Sequence, residues 1–131
     1  MILMDTHVWL RWLIPGDQPL PPFLAQRLSE ADSLAVSVIT CWEIHLLEQR
    51  GRVTLPLPAR QWIAEALTPT YISALSINRD IAETAATLPP HHRDPADRLI
   101  IATAIHHQAH LASLDETFPR YLEIDRLLIR N

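Results

Sequence analysis

Four acids sit in contexts that could do chemistry together. Asp5 follows the apolar run Ile2-Leu3-Met4, and Glu43 closes Thr40-Cys41-Trp42-Glu43. Asp97 lies in Asp94-Pro95-Ala96-Asp97-Arg98, and Asp115 follows Leu111-Ala112-Ser113-Leu114. Carboxylates gathered in one place are hard oxygen ligands, which favour Mg²⁺ or Mn²⁺ over Zn²⁺. Such a site suits metal-assisted phosphodiester hydrolysis, in which an ion activates water and stabilises the leaving oxygen. Each acid also has a local role open to it. Asp5 and Asp115 are placed to cap helices, Thr40 to Glu43 has the form of a capping box, and Asp94-Pro95 is a cap followed by proline, with Asp97 at the third helical position. Energy separates the two readings. Two carboxylates about 4 Å apart repel by roughly 4 kcal/mol at an effective dielectric near 20. A cap contributes only about 1 kcal/mol. If the fold brings these acids together, capping cannot offset the repulsion and a cation must.

The elements that would have to position them alternate along the chain. Ile2 to Met4 is a short buried strand, and Thr6 to Leu13 has the spacing of a helix. A second helix spans Pro21 to Ala31, and Leu34 to Ile39 is a strand leading into an amphipathic helix, Thr40 to Arg50, closed by Gly51. A helix over Ala59 to Leu67, a strand over Tyr71 to Leu75 and a helix over Asn78 to Thr87 follow, the last stopped by Pro89-Pro90. Pro95 to His107 is a strong helix, Leu111 to Leu114 a strand and Glu116 to Tyr121 a helical turn, with a further edge strand at the end. Alternating strands and helices imply an α/β fold with a central, mostly parallel sheet flanked by helices. In such sheets, groups at the carboxyl ends of the strands gather along one edge, where ligands bind. No gap is long enough for a linker, so residues 1–131 are expected to form one domain.

Composition narrows the remaining chemistry. Of 131 residues, 11 are arginine and none is lysine, which excludes a P-loop lysine, a Schiff base and a Ser-Lys dyad. Gly16 and Gly51 are the only glycines, so no Gly-rich phosphate loop exists. One cysteine, Cys41, rules out internal disulfides and Cys-rich metal sites and is expected as a small core side chain. The start has no basic region before Asp5, and apolar runs such as Leu99 to Ile105 are too short for a bilayer; a cytoplasmic protein is expected.

The segments Asp5-Thr6-His7, Trp42-Glu43-Ile44 with Gly51, His92 to Ala102 and Leu114 to Phe118 together resemble a PIN domain, in order and over nearly the whole chain. The resemblance is to VapC-type toxins of type II toxin–antitoxin systems, and His92 to Ala102 is its most specific part. It implies a three-layer PIN-like fold and a Mg²⁺- or Mn²⁺-dependent endoribonuclease that uses metal-activated water and leaves 5′-phosphate ends. Asp5 and Asp97 would be the main metal ligands, with Glu43 and Asp115 binding directly or through water. RNA (tRNA or rRNA) would be the substrate, a cognate antitoxin the inhibitor and a homodimer the assembly. A non-catalytic PIN-like binding module and a processing nuclease without antitoxin are the alternatives. One departure stands out: relatives often carry lysine where this chain has Leu47, so Arg50, Arg52, Arg93 and Arg98 are the candidates for phosphate contacts.

Other residues are weighed against this frame. His106, His107 and His110 suit the negative end of a helix better than a zinc site. His7, two residues from Asp5, is a candidate for approaching RNA or water. Trp9, Trp12, Trp42 and Trp62 fit a core or partner interface better than base stacking, with Trp9 and Trp12 as candidates for a dimer or antitoxin surface. Taking the four acids from the 15 leaves 11, equal to the arginines, so the net charge of −4 equals the charge of one metal site.

Overall fold

The computed structural model describes residues 1–131. Its elements are β1 (Ile2–Met4), α1 (Thr6–Leu13), α2 (Pro22–Glu30), β2 (Leu34–Ser37), α3 (Val38–Gln49), α4 (Ala59–Ala66), β3 (Ile72–Leu75), α5 (Arg79–Thr87), α6 (Pro95–His107) and β4 (His110–Ala112), then two short 3₁₀ turns, Phe118–Arg120 and Leu122–Ile124. The strands form one sheet in the order β3-β2-β1-β4, every pair parallel. The chain winds outward from β1 to β3 and then returns to lay β4 on the other side of β1. That reversal puts a topological switch point between β1 and β4.

Alternation along the strands sorts the core into two halves. Ile2 and Met4 pack with Leu34, Val36, Val8, Trp9 and Leu24 on one face. Leu3 and Ala35 point to the other, against Ile100, Ile101, Ala104, Phe118 and Tyr121. Helices therefore cover both faces, and the result is a three-layer α/β fold. Trp9 is fully buried, its ring 5.4 Å from that of Trp62, so it is core and not a surface for a partner. Trp12 is half-buried, and Trp42 is 56% exposed.

Several boundaries move from those the sequence suggests, each for a local reason. β2 ends at Ser37, whose hydroxyl accepts a hydrogen bond from the Ile39 amide (3.1 Å) and caps α3. Thr40 to Glu43 is consequently not a capping box but helix interior. The far end of α3 is as expected: Gly51 has φ +68°, and the Arg52 and Gly51 amides donate to the Leu47 and Glu48 carbonyls, a Schellman closure. β4 is shorter than Leu111 to Leu114 and shifted, running from His110 to Ala112, because it pairs with Ile2 to Met4, all of a three-residue strand. Asp115 caps no α-helix; it accepts from the Thr117 amide (2.7 Å) in a turn before the first 3₁₀ segment. The expected edge strand is reduced to one bridge, Leu111 to Leu128.

Candidate metal centre

Asp5 leaves the carboxyl end of β1 and does two things at once. Its Oδ1 accepts from the Val8 amide (2.8 Å), capping α1, while Oδ2 accepts from the Ser113 hydroxyl (2.5 Å). The same Ser113 oxygen accepts from the Asp115 amide (3.1 Å), tying the exits of β1 and β4 together across the switch point. Asp97 arrives from the other side, in the first turn of α6, which Asp94 caps through the Ala96 amide. Asp5, Asp97 and Asp115 line one open cleft of about 300 Å³, together with His7, Arg11 and Gln18. Glu43, one turn into α3, stands beside them. Its carboxylate accepts from the Thr6 hydroxyl (2.5 Å), and Thr6 Oγ1 lies 2.9 Å from that of buried Thr40.

The electrostatics carry the mark of crowding. Asp5 is 5% exposed, and burial pushes its carboxyl up despite the hydrogen bonds from Ser113 and Val8. Glu43 is raised, first by burial and then by the charges of Asp94 and Asp5. Asp97 is pushed up to about 7, by burial and by the charges of Asp94, Glu43 and Asp115, with His92 acting against them. Burial pulls at His92, but its hydrogen bond to Asp115 and the surrounding acids outweigh it and leave the imidazole raised. Asp115 is lowered: burial would raise it, but the bonds from His92 and the Thr117 amide prevail. No arginine forms an ion pair with any of the four acids. An oxygen-rich set of acids that lift one another, without a basic partner except one histidine, fits a divalent cation.

His92 is the residue that sequence reasoning missed. Its Nε2 lies 3.0 Å from both Asp97 Oδ2 and Asp115 Oδ2, and the three donor atoms lie within 4.8 Å of one another. Its nearest signal was its place in the His92 to Ala102 motif. Arg11 was missed as well; it reaches the cleft from the far end of α1. Its Nε and Nη2 donate to the Gln18 and Pro19 carbonyls (2.7 and 2.8 Å), fixing the guanidinium at the cleft wall. The arginines nominated from sequence do not line the cleft. Arg98 is spent on backbone carbonyls, and Arg50, Arg52 and Arg93 are exposed. Leu47 packs against the core. His7 is exposed on the cleft rim, while His106 and His107 stack edge to face in the last turn of α6 without acids to form a metal group.

These shifts set the pH response of the metal-free protein. Between the ordinary carboxyl value of 3.8 and about 7, folded Asp97 holds a proton that the unfolded chain has lost, so stability falls as pH rises through that range. Raised Asp5 and Glu43 act in the same direction. The raised His92 contributes stability that is complete below 6.5 and disappears as pH climbs through its higher folded value. Lowered Asp115 works oppositely, its contribution being lost only as pH drops below the ordinary carboxylate range. Thermal melts in chelator should therefore peak near about pH 5 and decline towards pH 8, with stabilisation by Mn²⁺ growing over the same interval. A melting temperature that rises from pH 5 to 8 in chelator contradicts this reading.

Comparison with known proteins agrees with the geometry. Residues 2–123 match the PIN domain family. The chain is 35% identical over 115 residues to Ribonuclease VapC22 of Mycobacterium tuberculosis, covering 87% of this chain and 86% of that protein. Among solved structures it superposes on VapBC2 from Rickettsia felis bound to a promoter DNA fragment, with TM-score 0.70, 16% identity and 98% of each chain covered. FitAcB from Neisseria gonorrhoeae gives TM-score 0.67 at 23% identity, covering 99% of this chain and 97% of that one. A toxin–antitoxin complex from Klebsiella pneumoniae gives 0.65 at 20%, with the same coverage. The structural likenesses speak for the fold, the family match and the sequence identity for descent: the chain belongs to the PIN domain family.

Proposed function

We propose that this protein is a Mg²⁺- or Mn²⁺-dependent endoribonuclease, acting in the cytoplasm as the toxin of a toxin–antitoxin pair. The observation that carries the reading is the meeting of Asp5, Asp97 and Asp115 in one cleft at the switch point, with Glu43 alongside and no arginine neutralising them. Its kinship with a protein named as a VapC ribonuclease supports RNA as the substrate, and toxin–antitoxin complexes among its structural neighbours support an antitoxin partner. Residues 1–131 are read as one domain, with a homodimer as the working assembly. No helix is long and apolar enough to cross a membrane.

When bound, the divalent ion supplies Lewis-acid activation of water and neutralises charge at the phosphate. Asp5 and Asp97 hold it, with Glu43 and Asp115 contributing directly or through water. Ser113 and Thr6 fix the carboxylates of Asp5 and Glu43 in place, so little reorganisation is needed when a phosphate arrives. Arg11 lines the cleft and keeps three of its five N–H groups available to a phosphate after bonding Gln18 and Pro19. Arg11→Ala should raise KM for a labelled RNA about tenfold while changing kcat little, as expected for a contact worth roughly 1.4 kcal/mol. An unchanged KM in steady-state cleavage would remove Arg11 from the substrate path.

The deciding experiment is expression in a bacterium with and without the adjacent small gene, followed by mapping of RNA ends. Growth arrest with new 5′-phosphate ends, relieved by the partner gene, is expected. Expression without growth arrest or new RNA ends, together with no Mn²⁺ binding in calorimetry, would instead favour a non-catalytic binding module.

A further inference from the structure

We propose that the outward face of α3 is a track for single-stranded RNA leading out of the cleft, with Trp42 stacking on an unpaired base and Arg50 and Arg52 taking the phosphates that follow. The inference rests on the ribonuclease reading of the cleft.

Helical period lays out the face. Val38, Trp42, His45 and Gln49 follow one another at steps of four, three and four residues, which share one side of a helix. Val38 is 38% exposed and Trp42 56%, while Thr40 and Ile44 on the opposite side are buried. The next residue after Trp42 is Glu43, whose carboxylate is held beside the cleft by Thr6. Because α3 starts where β2 ends, Val38 and Trp42 belong to its half at the carboxyl end of the sheet, where the cleft lies. Tyr71 is the other large aromatic ring that is exposed, and it precedes β3, at the opposite end of the sheet.

Charge decides the occupant. The protein carries a net charge of −4, yet this face holds no acid. Of the two acids in α3, Glu43 belongs to the cleft and Glu48 accepts from the Ala59 amide at the start of α4 (3.1 Å). The helix runs about 18 Å to Arg50 and Arg52. Both are exposed, and neither forms an ion pair. The amides of Arg50, Gly51 and Arg52 take up the Leu46, Glu48 and Leu47 carbonyls, so this end of the helix offers a phosphate two guanidinium groups.

A polyanion can therefore leave the acidic cleft along α3 without meeting a carboxylate on that face. Inside the cleft, Arg11 is the only arginine, so RNA beyond the scissile phosphate needs contacts elsewhere. A single strand has open base faces for an indole, whereas a duplex keeps its bases stacked on one another. One indole beside one valine is little against the roughly 800 Å² that each partner commits in a stable dimer, but it is enough for one base.

The test uses the full chain, Mn²⁺ and a single-stranded RNA that it cleaves, intact and with an abasic residue walked through the positions flanking the cut. For the wild type, one abasic position should raise KM about tenfold, equivalent to about 1.4 kcal/mol of stacking. Trp42→Ala should show that rise on intact RNA, in KM and not in kcat, with no further rise on the abasic RNA. Trp42→Phe should stay within about threefold of the wild type. Joint Arg50→Ala and Arg52→Ala should flatten the slope of log KM against log salt by about 1.4, or about 0.7 for each charge. An abasic walk without effect on the wild type overturns the proposal, and so does an equal abasic effect in wild type and Trp42→Ala. Loss of a dimer by Trp42→Ala in sedimentation, with the abasic effect kept, overturns it in favour of a second copy on this face. If Trp42→Ala does not fold, Trp42→Leu, apolar but without a flat ring, takes its place. No cleavage by the wild type overturns the ribonuclease reading itself, whereas cleavage with KM unmoved by Trp42→Ala overturns this proposal alone.

Discussion

Asp97→Asn is expected to abolish RNA cleavage and, in the same molecule, to raise the stability of the metal-free protein at pH 8. The two effects share one cause. Asp97 ionises against burial and against the charges of Asp94, Glu43 and Asp115, which hold its carboxyl near 7. Asparagine keeps the shape and removes the charge. Relief of that strain should raise unfolding free energy by about 1–2 kcal/mol at pH 8, since the pairing with His92 is weakened as the repulsion is lifted. Near pH 4 the gain should vanish, because the wild-type carboxyl is then protonated. Loss of a metal-holding carboxylate should meanwhile lower cleavage by at least about 10³-fold. Asp5→Asn should lose cleavage to a similar degree, as its Oδ2 already receives the Ser113 hydroxyl and an amide group there would have to turn. Denaturant unfolding in chelator at the two pH values, alongside a cleavage assay, checks both parts. Undiminished cleavage by both variants would falsify the assignment of the centre.

Arg98→Ala should produce the largest loss of stability of any single exposed-looking arginine. Its guanidinium donates to the Pro89 and Leu88 carbonyls at 2.9 and 2.8 Å, and more weakly to His92 and Ala86 at 3.3 and 3.5 Å. Those carbonyls belong to the end of α5 and to the turn that follows, where Pro89 and Pro90 supply no amide hydrogens. Removing the arginine leaves them without donors in a half-buried turn. A hydrogen bond from a charged donor contributes about 1.5–3 kcal/mol, so a total loss of roughly 3 kcal/mol is expected by denaturant titration. Arg98→Lys should recover only a minor part, because one ammonium cannot span four carbonyls. The variant should also weaken Mn²⁺ binding, since the turn it fastens carries His92. A loss below about 0.5 kcal/mol would show that water replaces the guanidinium.

What was legible in the sequence, and what was not, follows from the reach of the interactions. Every helix and strand core could be seen, since hydrophobic period and proline punctuation act within a few residues. The four acids could be seen for the same reason, each marked by its strand exit or its helix start. The capping role read for Asp5 holds for one oxygen only: Oδ1 caps α1, while Oδ2 receives the Ser113 hydroxyl. Errors fell where distant parts decide. Ser37 took the cap expected of Thr40 because Thr40 is drawn inward to Thr6, 34 residues away. Arg98, a candidate for phosphate contacts by its sequence, is spent on the carbonyls of a turn. His92 was hidden because its partners, Asp97 and Asp115, become neighbours only once β4 is laid beside β1.

That last pairing has a consequence for the order in which the cleft is assembled. Asp5 and Ser113 are separated by 108 positions, and the first strand finds β4 only after every element between them has been made. Translation proceeds at about 5–20 residues per second, and domains fold as their segments emerge. Through most of that interval the nascent chain holds Asp5 and Glu43 without Asp115 and without the serine that orients Asp5. The cleft is therefore incomplete until β4 and the turn after it have been made. Chain order thus makes the cleft one of the last features of residues 1–131 to be assembled.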